Sequence, residues 1–250
     1  TLGSIELKNR IVKAPMTRAR AIGNIPNDLM ATYYGQRSDA GLIVTEGTSP
    51  SPNGLGYCRI PGIFSTAQVE GWKKITKAVH TKGGCIFLQI MHTGRISHAL
   101  NLPQGAVVLA PSAVKAAGQM WTDVSGMQDF PTPKAMTPEE IELTKKEYIT
   151  AARNVIAAGF DGLELHGANG YLLEQFLSPY SNQRTDSYGG SIENRCQFVL
   201  EVVDGVCAAI GKEKIGIRLS PYGVASDMKH YPEIGAEYTY LAGELNKRGI

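Results

Sequence analysis

The chain has 250 residues, of which 43% are hydrophobic and 19% charged, with a formal net charge of +2. No apolar run approaches the roughly 18 residues a membrane-spanning helix needs, and no basic block suggests a nucleic-acid partner. The balance is that of a soluble globular chain acting on small molecules rather than polyanions or membranes.

Cys58, Cys85, Cys196 and Cys207 form no C-x-x-C pair and no zinc spacing. Cys85 opens an apolar run, which suggests a buried reduced thiol, a reducing compartment and a cytoplasmic location. The histidines are dispersed, and the spacing of His92 and His98 does not put them on one helical face, so no metal site is expected. Thr1 stands where an initiator Met would, and Ile250 stops just after Gly249. These read as cut ends, so a targeting peptide is neither inferred nor excluded.

Taken in order, residues 11–17 (IVKAPMT) predict a first strand ended by Pro15 and a polar turn. Asn27 and Asp28 start a helix that runs past Tyr34 and Arg37 to Gly41, placed to cap its C-terminus. Residues 41–47 (GLIVTEG) read as a second buried strand, followed by a Pro/Gly/Ser-rich loop to Gly62. Val69, Trp72, Ile75 and Val79 keep helical spacing within residues 66–82, before Gly83 and Gly84. Residues 85–92 (CIFLQIMH) read as a third strand. The long segment 93–137, rich in Pro, Gly and Ala, is expected to be a loop or lid, since loops of this length in a compact domain are usually functional. Thr137-Pro138-Glu139-Glu140 starts a strong helix that reaches Ala158 and Gly159. A fourth strand spans 162–166, a helix follows from Ser191 to Ile210, residues 214–220 (KIGIRLS) form a fifth strand, and 234–247 a last helix.

This alternation predicts an α/β protein with a parallel sheet. APMTR lacks the Gly-rich turn that a doubly wound sheet puts after its first strand, so a (β/α)8 TIM barrel is preferred, as one incomplete domain over residues 1–250. About 250 residues is typical of a whole eight-stranded barrel, yet only about five βα units are present. Five units do not close a barrel. About three more are therefore expected in the intact polypeptide, or from a complementing C-terminal segment or chain.

The chemistry concentrates where the fourth strand ends. His166, Asn169 and Tyr171 stand in an H-x-x-N-x-Y spacing on a strand-to-helix loop, where barrels carry their catalytic groups. The imidazole and carboxamide can donate hydrogen bonds, and the phenol holds a transferable proton. Donors aimed at a carbonyl oxygen would activate a conjugated alkene, as in an oxyanion hole, each worth about 2.7–4 kcal/mol. A phenol of pKa near ~10 stays protonated at neutral pH yet can protonate a carbanion-like centre. A cap, a turn residue and a packed aromatic would leave the same spacing. Two further features stand out inside apolar runs. Gln89 is a mid-strand amide that must find partners, and Arg218 is a guanidinium that needs an anion, with Glu46 or Glu164 as structural alternatives.

With residues 182–195 (NQRTDSYGGSIENR) and 14–18 (APMTR), the chain resembles the Old Yellow Enzyme family of flavin-dependent ene-reductases along nearly its whole length. The resemblance implies FMN lying across the strand ends and NADPH or NADH as hydride donor. The substrates would be small-molecule activated alkenes: enones, enals, maleimides and nitroalkenes. It implies that His166 and Asn169 bind the substrate oxygen and that Tyr171 protonates Cα. It gives Thr17 a bond to the flavin C4 oxygen, and Pro15 and Met16 contacts to the isoalloxazine. Gly47 would admit a flat ring close to the backbone, Gln89 would complement the pyrimidine edge beside His166, and Arg218 would face its anionic end. Tyr57 matches a pocket-lining aromatic. Met91 departs from the Trp of many relatives and should leave a roomier pocket. Arg184 with Asp186 should tie the 182–186 loop, and Ser191 should cap the helix after it. The competing expectation is a catalytically inactive barrel fragment or binding scaffold, unable to hold FMN without further C-terminal strands.

Overall fold

The structure, a computed structural model, describes residues 1–3 and 5–250. It begins with β1 (Val12–Lys13), α1 (Asp28–Gly35), β2 (Leu42–Val44), α2 (Thr66–His80) and β3 (Ile86–Ile90). Four short strands follow: β4 (Leu109–Ala110), β5 (Gln119–Thr122), β6 (Gly126–Asp129) and β7 (Lys134–Ala135). The chain then forms α3 (Pro138–Ala157), β8 (Gly162–Gly167), α4 (Leu172–Leu177), α5 (Ile192–Ile210), β9 (Ile215–Leu219) and α6 (Ile234–Arg248).

The main sheet has the order β1-β2-β3-β8-β9, every pair parallel. Spatial order follows chain order with no reversal, which is the winding of a barrel and not of a doubly wound sheet. The fold is thus α/β, a curled partial barrel with helices on its outer side, as the strand count predicts.

Register decides which side chains can meet. Gln89 pairs with Glu164, and His166 with Arg218. Because strand side chains alternate faces, Phe87, Gln89, Glu164, His166 and Arg218 share the inner face. Leu88, Ile90, Leu163 and Leu165 turn outward and are fully buried, in one cluster with Trp72, Ile75 and Val79 of α2, Tyr148 of α3 and Phe198 of α5. Each fully buried aliphatic of this kind stabilises the fold by about 1.5–3 kcal/mol. Capping boxes begin two of the helices: Ser65 with Gln68 for α2, and Thr137 with Glu140 for α3. At α5, the Ser191 Oγ accepts from the Asn194 N–H.

The local departures have physical causes. The first strand shrinks to two residues because it is an edge, with Ile11 67% and Val12 51% exposed. Helix α1 stops at Gly35 instead of running to Gly41. Gly41 caps nothing; a Cβ there would strike the Asn9 carbonyl oxygen, so the close approach of the N-terminal segment requires glycine. Cys85 is half-buried rather than buried, although burial first and then Asp161 push its thiol up to about 12. Residues 93–137 are not wholly irregular: β5 and β6 pair as an antiparallel hairpin, and β4 pairs with β7. Arg184 holds Asp186 at 3.0 Å and also donates to the carbonyls of Pro111 and Met136. It therefore joins the 182–186 loop to both ends of the hairpin segment. Helix α4, six residues long and buried throughout, was not expected from the sequence.

No helix among the described residues is long and apolar enough to cross a membrane, and all four cysteines are free thiols.

Candidate active site

The site is built on the end of β8. His166 is the last inward-facing residue of that strand and is 3% exposed. Burial first, and then the positive charge of Arg218, push its imidazole down to about 3. It is neutral across the physiological range, and its Nδ1 is buried with no protein partner. The chain then turns through Asn169 and Gly170, both left-handed, with φ of 58° and 77°. Asn is among the few side-chain-bearing residues that visit this region routinely. Tyr171 follows as the residue preceding α4, its ring edge-on to His166 at 4.9 Å. Imidazole and phenol are therefore neighbours, as the spacing predicts.

The Tyr171 phenol meets a second phenol. Its oxygen lies 3.1 Å from that of Tyr57, on the loop after β2. Burial raises both phenols above their ordinary value; for Tyr171 the hydrogen bond from Tyr57 and the charge of Arg218 pull the other way. The two rings rest on Leu55, Ile60 and Met91. Met91 is 1% exposed and shares the cluster on which both phenols pack. Its sulfur also accounts for Gly47: a Cβ there would come within 2.5 Å of Met91 Sδ. Met91 is thus one close neighbour of Gly47.

Along the inner face, the Gln89 amide donates to Glu164 at 2.7 Å, an engagement that its mid-strand position required but did not identify. Glu164 is held above the usual carboxylate range by burial, against the opposing effects of Gln89 and Arg218. Arg218 pairs with neither Glu46 nor Glu164: among the described residues no carboxylate lies within 4.0 Å of its guanidinium, and it is half-buried. Glu46 is fully buried and taken up elsewhere, accepting from the Tyr34 hydroxyl and the Arg18 N–H.

Pro15, Met16 and Thr17 follow β1, at the far edge of the sheet. Thr17 is exposed and Met16 is 45% exposed. Three strand spacings, about 14 Å along the curled sheet, separate β1 from β8.

Sequence reading missed the frame behind Asn169. Ser220, at the end of β9, accepts from the Asn169 N–H at 2.9 Å and donates to Glu174 at 2.8 Å. Glu174 accepts from the Gly170 N–H at 2.5 Å and from Tyr238 of α6 at 3.0 Å. The available signal was an acid within the apolar run LLEQFL. Arg95, 2% exposed, was also missed; it donates to the carbonyl of Asp227 in the loop that packs on Gly170.

Comparison with known proteins adds the following. The model of the NADH:flavin oxidoreductase / NADH oxidase family matches residues 1–250. A probable flavin mononucleotide-dependent alkene reductase of Leishmania infantum is 46% identical over 255 residues, covering 100% of this chain and 69% of that protein. The 12-oxophytodienoate reductase 1 of Oryza sativa subsp. japonica is 44% identical over 247 residues, covering 98% of this chain and 63% of its own length. Morphinone reductase, solved in complex with tetrahydroNAD, superposes with a TM-score of 0.95 at 46% identity, covering 100% of this chain and 70% of that one. The old yellow enzyme homologue from Zymomonas mobilis gives a TM-score of 0.95 at 41% identity. The chain spans between 63% and 70% of the length of the first three of these relatives.

Proposed function

The chain belongs to the NADH:flavin oxidoreductase / NADH oxidase family, and from that premise we propose that it reduces activated alkenes with FMN, using NADH or NADPH. The observation that carries this reading is the neutral His166, with Nδ1 buried and unpartnered, set 4.9 Å from the ring of a protonated Tyr171. A donor and a proton source side by side match what polarising and then protonating a conjugated double bond requires.

The residues fit the cofactor. An orphaned imidazole nitrogen, a half-buried guanidinium without a carboxylate and a polar Gln89–Glu164 pair on one concave face suit a flat ring with a polar, anionic edge. Pro15, Met16, Thr17, Gly47, Gln89, His166 and Arg218 would hold FMN along the strand ends. When bound, FMN supplies the hydride received from the nicotinamide.

The protein's own groups do the rest. His166 and Asn169 hold the substrate oxygen of an enone, enal, maleimide or nitroalkene, withdrawing charge from the double bond. Tyr171 gives its phenolic proton to Cα, and Tyr57 donates a hydrogen bond to the phenolate left behind, since it is the hydrogen-bond partner of that oxygen. Met91, Leu55 and Ile60 keep water from beneath both phenols. Residues 93–137 are the proposed lid, with Trp121 and Met127 exposed on the β5–β6 hairpin within it, and the proposed location is the cytoplasm. The test is to separate the two half-reactions by rapid mixing. NADPH should bleach the flavin absorbance of the protein, and an enone should restore it. A colourless protein, or one whose flavin is reduced but never reoxidised by an alkene, would overturn the reading.

A further inference from the structure

We propose that Glu174 is a positioning residue for Asn169, locking the Asn169–Gly170 turn in the conformation from which the Asn169 carboxamide meets the substrate oxygen. The inference rests on the reading of Asn169 as a donor and adds what holds it in place.

Three donors converge on this carboxylate. The Gly170 N–H reaches Oε2 at 2.5 Å, and the Ser220 and Tyr238 hydroxyls reach Oε1 at 2.8 and 3.0 Å. Glu174 is 4% exposed. A buried acid surrounded only by donors is satisfied as the acceptor-only carboxylate. The second link runs through Ser220, which accepts from the Asn169 N–H while donating to Glu174, so its hydroxyl is polarised in the direction the chain needs. Successive amides of the turn, those of Asn169 and Gly170, thus end on the same side chain, one directly and one through a hydroxyl.

The turn needs such a clamp. Two consecutive residues have positive φ, and Gly170 packs so closely on the following loop that a Cβ there would lie 2.7 Å from Ser226 Cβ. Asn169 is only half-buried, so its placement depends on the backbone beneath it. Helix α4 supplies the carboxylate, β9 the hydroxyl and α6 the phenol, so three elements fix one loop residue.

Glu174→Gln is nearly isosteric, yet it sets an amide N–H against the Gly170 N–H or against both hydroxyls. Binding of cyclohex-2-enone to the oxidised, flavin-loaded protein without NADPH, measured by calorimetry, reads the outcome without turnover. Glu174→Gln should weaken binding about tenfold, the scale of one lost hydrogen bond. Asn169→Gly, which removes the carboxamide and tolerates positive φ, should weaken it at least as much. The double variant should bind no worse than Asn169→Gly alone, because groups acting through one another are not additive. Ser220→Ala gives a second route with the carboxylate intact and should show the same non-additivity. A general loss of folding would multiply the effects instead, and multiplied losses overturn the proposal. So does wild-type binding by Glu174→Gln and Ser220→Ala while Asn169→Gly is impaired. Wild-type binding by Asn169→Gly overturns the donor reading itself, and the proposal with it.

Discussion

The phenolic oxygens of Tyr57 and Tyr171 lie 3.1 Å apart, joining the loop after β2 to the loop after β8. Neither residue is near the other in sequence, and the two rings meet edge to face with centroids 6.3 Å apart. Burial raises the Tyr171 phenol, and Tyr57 is the hydrogen-bond partner that lowers it again. The proton donor of the proposed reaction is therefore raised first by burial, with a second tyrosine and Arg218 opposing it.

Tyr171→Phe should slow the alkene half-reaction by about 10²–10⁴-fold, the usual contribution of a positioned general acid. Reduction of the flavin by NADPH, which needs no proton from this phenol, should be largely intact. Tyr57→Phe leaves Tyr171 in place but removes its hydrogen bond, so the alkene half-reaction should slow by up to about tenfold. Stopped-flow traces of the two half-reactions check both. Equal slowing of both steps in Tyr171→Phe would sink the assignment.

Much of this was legible because the pattern is local. The apolar runs found all five strands of the main sheet, and helical spacing found Trp72, Ile75 and Val79 on one face. The H-x-x-N-x-Y spacing placed His166 beside Tyr171, because five residues at a strand end have few ways to turn. The Tyr57–Tyr171 contact, the Gln89–Glu164 bond and the clamp on Asn169 were not legible. Apart from the local Gly170–Glu174 bond, each joins residues far apart in sequence, and their meeting depends on how the strands and loops are brought together. Gly41 misled for the same reason. Read as a helix cap, it is required instead by the close approach of the Asn9 carbonyl, which comes from elsewhere in the chain.

Two histidines should make stability depend on pH. Burial, first and mainly, holds both His92 and His166 at about 3, below the ordinary 6.5. Below pH 6.5 the unfolded chain takes up protons that the folded protein refuses. The stability these groups allow is thus complete above 6.5 and lost as pH falls toward 3, by about 1.4 kcal/mol per pH unit for each histidine. Buried Glu46 and Glu164, raised by desolvation, act in the opposite sense, so the comparison should be with variants. Urea unfolding should show a flatter acid limb for His92→Gln and for His166→Asn than for the wild type. Parallel limbs in all three proteins would contradict the buried, neutral state of these rings.

Gly47→Ala should disturb the phenols from a distance. The new Cβ meets the Met91 sulfur, which packs in one cluster with Leu55, Ile60 and the two tyrosines. Overpacking of this kind costs about 1–3 kcal/mol. Met91→Ala opens the space, so the double variant should recover part of that loss relative to Met91→Ala alone, a coupling that thermal melts can measure. Met91→Trp crowds the same cluster and should narrow substrate scope or alter facial selectivity. Unchanged product ratios across a series of bulky enones would count against that role.

Arg218 offers the sharpest test of the cofactor reading. It faces His166 across the β8–β9 register, and among the described residues no carboxylate neutralises it within 4.0 Å. Leaving such a half-buried charge unmatched is unfavourable unless an anion arrives, and the anionic edge of a reduced flavin is the anion proposed. Arg218→Ala removes a charge-assisted contact of about 1.5–3 kcal/mol, so flavin affinity should fall roughly 10–150-fold. The variant should lose its absorbance on dialysis. Arg218→Lys keeps the charge but not the planar fork, and should retain an intermediate fraction. The loss of the guanidinium also reaches the proton chemistry. The Tyr171 phenol, raised by burial and lowered by Tyr57 and Arg218, should rise further, so alkene turnover in flavin-saturated Arg218→Ala should remain below wild type. An Arg218→Ala protein that keeps its full flavin content through dialysis would remove this residue from the site.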